Sequence, residues 1–97
     1  MVSYNRVLPI GTVVLLKGAT ARLMIIGYQR MSADGSDKTI YDYCGCPFPE
    51  GYLSPEETAI FNHDKIDRVI SMGLQNQAYI LLSEKIEKII GERNAGK

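Results

Sequence analysis

Residues 10–26 read Ile10-Gly11-Thr12-Val13-Val14-Leu15-Leu16-Lys17-Gly18-Ala19-Thr20-Ala21-Arg22-Leu23-Met24-Ile25-Ile26. Two continuous apolar runs, Val13–Leu16 and Leu23–Ile26, flank a short link that carries Gly18. Runs of this length rich in branched apolar residues predict strands buried on both faces. A link this short joins antiparallel neighbours, so the pair predicts the central hairpin of the core. The first strand is expected over Ile10 to Lys17 and the second over Arg22 to about Met31. Gly27 interrupts the second, which predicts a bulge or sharp bend there.

Outward from the hairpin, Met1 to Leu8 form a leader ended by Pro9, and Ser32 to Lys38 form a polar loop with an Asp34-Gly35 turn signal. A third strand is expected over Thr39 to Cys46, with Tyr41 and Tyr43 on one face and Ile40, Asp42, Cys44 and Cys46 on the other. Pro47 and Pro49 close it. Ser54-Pro55-Glu56-Glu57 has the form of a capping box, with Ser54 as N-cap and Glu57 as its reciprocal partner. Residues 63–72 fit either a helix or, over Arg68 to Met72, a fourth strand. Gln75 to Ile90 is the clearest helix. Tyr79, Leu82, Ile86, Ile89 and Ile90 make its core-facing stripe, and Glu84 and Lys88 form a favourable i,i+4 pair. Gly91 is expected to stop it, leaving 92–97 as a mobile tail. These elements predict an α+β fold: a small, bent antiparallel sheet of about four strands, an SH3-like partial barrel, with one C-terminal helix. Residues 1–97 read as a single domain with its core over about 7–91.

Eleven Lys and Arg balance eleven Asp and Glu over 97 residues, for a formal net charge of zero. A nucleic-acid binder would carry a basic excess, so no nucleic-acid partner is expected. The apolar runs are far shorter than the roughly 20 residues that cross a bilayer. No apolar segment follows a basic start in Met1–Arg6, so neither a membrane partner nor a secretory signal is expected, and the cytoplasm is the expected location.

Catalytic chemistry finds no foothold. Cys44 and Cys46 stand at i and i+2, too far apart on one strand face for a disulfide. With His63 as the single histidine, a zinc site would lack ligands. The two cysteines therefore read as small apolar strand residues, and no metal or cofactor is expected. His63 and Asp64 are adjacent on a turn with no recognisable nucleophile beside them, and Asp64 and Asp67 read as solvated or capping groups. Neither a phosphate-binding loop nor a Gly-x-Ser-x-Gly elbow is present. Tyr28, Tyr41, Tyr43, Tyr52 and Phe48 could stack on bases, but their neighbours are acidic residues and prolines rather than cations. They read as core and rim aromatics, a rim that would also suit a protein partner.

Three segments together are distinctive: Leu8-Pro9-Ile10-Gly11-Thr12-Val13-Val14-Leu15-Leu16-Lys17-Gly18, Leu23-Met24-Ile25-Ile26-Gly27, and Tyr41-Asp42-Tyr43-Cys44-Gly45 running on to Pro49-Glu50-Gly51. Phe61-Asn62-His63-Asp64-Lys65-Ile66 and the Val69 to Gly73 stretch extend the match. Over residues 7–90 the chain resembles the small bacterial domain-of-unknown-function family four-one-seven-six. That family is found mainly in Gram-positive bacteria, typically encoded near type VII secretion genes and LXG-type toxins. The resemblance implies a small cytosolic accessory protein, a chaperone or targeting adaptor for a secreted toxin, and it brings no catalytic motif. Many relatives in that family are markedly acidic around the last strand and helix. Here Arg68, Ser71, Met72 and Gln75-Asn76-Gln77 stand instead, so the partner surface is expected to differ.

The expected function is a non-enzymatic interaction module for a type VII toxin. An immunity protein, an enzyme and a small-barrel nucleic-acid binder are the alternatives. Tyr43, Phe48 and Tyr52 on an aromatic rim, with Ile80 and Leu81 on the helix flank, are the candidate protein-binding residues. Zero net charge removes repulsion between copies, so a homodimer is also expected.

Overall fold

A computed structural model of the chain describes residues 7–31 and 39–95. The Asp34-Gly35 turn, most of the leader and the end of the expected tail lie outside the described residues. Five strands form one open antiparallel sheet: β1 Val13–Leu16, β2 Arg22–Arg30, β3 Tyr41–Phe48, β4 Ala59–Phe61 and β5 Ile66–Ser71. Their order is β4-β3-β2-β1-β5. One helix, α1, spans Gln77–Ala95. The class is α+β with five strands rather than about four.

The β1–β2 hairpin forms as its sequence predicts, with Val13 opposite Met24 and Val14 opposite Leu23. Gly18 takes φ +77° in the link, and the Ala19 amide donates to the Leu16 carbonyl at 3.1 Å. Burial on both faces holds for Val13 and Val14, while Leu15 and Leu16 are half-buried. The bulge falls at the expected place: the β2–β3 register slips between Ile25 and Gly27. β3 runs two residues further than expected. Pro47 pairs across β2 with Leu23, and on its other side β4 reaches only as far as Gly45, so no second neighbour needs the missing amide hydrogen.

Residues 63–72 resolve into a 3-10 turn, His63–Lys65, followed by strand β5. The capping box does not form. Pro55–Glu57 is a single 3-10 turn, and Ser54 offers its carbonyl rather than its side chain, accepting from the Glu57 amide at 3.0 Å. At the start of α1 the cap is Asn76, whose Oδ1 accepts from the Tyr79 amide at 3.0 Å. Gly91 does not stop the helix, which continues through residues 92–95 where a tail was expected. Its φ stays out of the left-handed region that a C-terminal cap would need.

The buried line of α1 also differs from expectation. Ser83 and Ile86 are buried and Tyr79 and Ile90 half-buried, whereas Leu82 and Ile89 are 44% and 50% exposed. Ser83 occupies the centre of that line because its hydroxyl donates to the Ile80 carbonyl at 2.8 Å, so its burial strands no polar group.

The core joins Val7, Leu8, Val14, Ile25, Tyr43, Phe61, Ile66 and Ile86. Val7, Leu8 and Pro9 thread into it outside any strand; the Pro9 carbonyl accepts from the Thr12 amide at 3.2 Å, while Val7 and Leu8 need side chains. Three tyrosines supply them. Tyr79 donates to the Val7 carbonyl and Tyr28 to the Leu8 carbonyl, each at 2.5 Å, and the Leu8 amide donates to the Tyr43 hydroxyl at 3.0 Å. Thr12, fully buried, completes the anchor: its hydroxyl accepts from the Gly73 amide at 3.0 Å and donates to Met72 Sδ at 3.9 Å. A Cβ on Gly73 would overlap the Ile10 carbonyl oxygen, so only glycine fits beside the anchored segment.

Candidate interaction surface

Tyr43 corrects the sequence reading most sharply. It is 0% exposed, and its ring sits among Tyr28, Phe61 and His63, with centroids 6.0, 5.5 and 5.8 Å away. Its hydroxyl hydrogen-bonds His63 Nδ1 at 2.7 Å while accepting from Leu8. Burial pushes the Tyr43 phenol far above its ordinary value and Tyr28 up to about 12. Burial likewise lowers His63, against the opposing pull of Asp42 and Asp64. The His63 amide donates to Asp42 Oδ2 at 2.9 Å and the Asp42 amide to Asn62 Oδ1 at 3.1 Å, which pins the turn to β3. Tyr43 and His63 thus belong to the framework.

The remaining candidates are not brought together. Phe48, 42% exposed, ends β3 opposite Arg22. Ile80 is half-buried on α1. Leu81, 52% exposed, stands on α1 near Leu82 and Ile89. Tyr52, 59% exposed, lines an open groove of about 700 Å³.

That groove lies on the sheet face turned away from the core. Cys44 and Ile60 are cross-strand partners on β3 and β4, one position along from the buried Tyr43–Phe61 pair, so strand alternation turns them outward. Ile26, Gln29, Arg30 and Met31 come from the end of β2, and Tyr52, Pro55 and Thr58 from the β3–β4 connection. Gln29 has a left-handed φ of +53°, just past the bulge. A Cβ on Gly27 would lie 3.8 Å from Cys44 Cβ and 3.9 Å from Arg30 Nε, so the Arg30 side chain runs back beside Gly27 and near Cys44. Burial raises the Cys44 thiol, with Arg30 pulling the other way, which disfavours the thiolate. Cys44 and Cys46 are both free thiols.

Sequence reasoning missed Ile26, Arg30, Met31 and Ile60 as lining residues. The alternation that set Cys44 and Tyr43 on opposite faces was the available signal. Among the described residues no group of three or more His, Cys, Asp or Glu side chains could hold a metal ion. Among the described residues no helix is long and apolar enough to cross a membrane.

A family model described as "Domain of unknown function (DUF4176)" matches residues 7–82. No curated protein and no solved structure matches the chain.

Proposed function

This chain belongs to the DUF4176 family, and we propose that it is a non-enzymatic protein-interaction module, a cytoplasmic chaperone or targeting adaptor for an LXG-type toxin exported by type VII secretion. The secretion context comes from the resemblance described above. The observation that carries the interaction reading is the outer side of α1, where Leu81, Leu82 and Ile89 expose about half of their surface each. Ala78 and Lys85 complete the same exposed strip at helical spacing. Aliphatic side chains gain nothing by facing water along three turns, and a partner helix or strand removes that cost.

The test is co-purification with the neighbouring toxin, split into its N-terminal LXG region and its C-terminal toxic domain. An adaptor holds the N-terminal region, and a Leu81→Glu, Leu82→Glu double variant loses it while keeping its circular dichroism spectrum. Capture of the toxic domain instead would make the chain an immunity protein. A second copy covering the strip is read in the same samples by sedimentation. Retention of neither toxin fragment contradicts the proposal.

A further inference from the structure

The geometry points to a second binding site, separate from the exposed strip of α1: the groove on the outer face of β2, β3 and β4 takes an apolar peptide segment that carries a carboxylate, which pairs with Arg30. The inference goes beyond the toxin reading and names a ligand class for a different face.

Three observations carry it. First, the walls are mostly apolar, Ile26, Met31, Cys44, Pro55 and Ile60, and the volume of about 700 Å³ admits several side chains. Second, among the described residues Arg30 is the single charged one lining the groove, and it has no ion-pair partner there. Its Nε runs beside Gly27 and close to the Cys44 wall, and the residue is open to an incoming ligand. A fork of donors beside apolar walls is complementary to a carboxylate flanked by apolar side chains. Third, the groove is open to solvent rather than enclosed. A fatty acid needs an enclosed cavity that buries most of its chain, whereas an open trough with the Tyr52 ring on its wall suits a peptide.

The experiment is selection of a displayed random peptide library on the full-length chain, in parallel with the Arg30→Glu variant. Arg30 is exposed, so the variant keeps the fold, which circular dichroism verifies. Wild-type chain is expected to enrich peptides with Asp or Glu next to large apolar residues. Amide shifts on peptide addition should centre on Ile26, Cys44, Tyr52 and Ile60. Arg30→Glu should weaken the best such peptide about ten-fold or more, the loss of one charge-assisted contact. Replacing the peptide's acid by its amide should weaken wild-type binding and not the variant's. The Leu81→Glu, Leu82→Glu variant should bind the peptide normally, which separates this site from the toxin reading. Overturning results are equally definite: no enrichment, peptides without an acidic residue, affinity indifferent to Arg30→Glu, shifts outside the groove, or binding of decanoate with none of the peptides.

Discussion

Two parts of the molecule use tyrosine in opposite ways. On the inner side of the sheet Tyr28, Tyr43 and Tyr79, one each from β2, β3 and α1, spend their hydroxyls on the backbone of Val7 and Leu8. On the outer side Tyr52 has its ring on a groove wall and most of its surface in water. The difference lies in what each hydroxyl must satisfy. A strandless segment driven into the core strands its amide and carbonyls unless partners reach it, and a phenol spans that distance while its ring fills core volume. Nothing on the outer face makes that demand, so Tyr52 is free to serve as contact surface. Burial shows the same division: inner positions tolerate little change, and outer ones tolerate much.

The contrast breaks most visibly at Gly73. Gly73→Ala drives a methyl into the Ile10 backbone and should cost about 3 kcal/mol, read as a lower urea midpoint. Next is Tyr43→Phe, which keeps the ring but leaves the Leu8 amide and His63 Nδ1 without the hydroxyl between them. The expected loss is about 2 kcal/mol, from a buried donor left unsatisfied.

Acid sharpens the comparison without mutation. His63 has a folded pKa below its ordinary 6.5, so the unfolded chain binds the proton more tightly. The stabilising contribution of neutral His63 is fully present above pH 6.5 and is lost as pH falls from there through the lower folded value. Thermal unfolding of wild type and His63→Asn between pH 7.5 and 5, conditions chosen to bracket that window, should converge as pH falls. Smallest is Tyr52→Ser, expected to move stability by no more than about 0.5 kcal/mol while weakening any ligand of the groove.

How far the sequence discloses this arrangement differs by element. Continuous apolar runs about a short glycine-bearing link specify the β1–β2 hairpin, and Gly27 marks the bulge between β2 and β3. Ala59-Ile60-Phe61 is too short for any periodicity to register, so β4 is visible only once Phe61 lies beside Tyr43. Along α1 a reading that ranks residues by hydrophobicity prefers Leu82 and Ile89 to Ser83. The helix buries Ser83 because the Ile80 carbonyl satisfies it locally, leaving the bulkier residues outside. Tyr43 is misplaced on the rim for a related reason: its partner Leu8 is 35 residues away, and strand spacing says nothing of a contact that distant. The groove draws its walls from three elements, and only Tyr52 among them was singled out as a contact from sequence.

The central claim is that tyrosine hydroxyls lock the leader backbone into the core. Amide hydrogen exchange at Leu8 tests it most directly. In wild type the Leu8 amide should be protected to nearly the level of Ile25, whose own amide donates to the Thr12 carbonyl at 2.8 Å inside the hairpin. In Tyr43→Phe, Leu8 should lose protection selectively while Ile25, referenced to the variant's global stability, keeps it. Leu8 exchanging at the rate of an unstructured peptide in wild type, or protected equally in both proteins, would contradict the account.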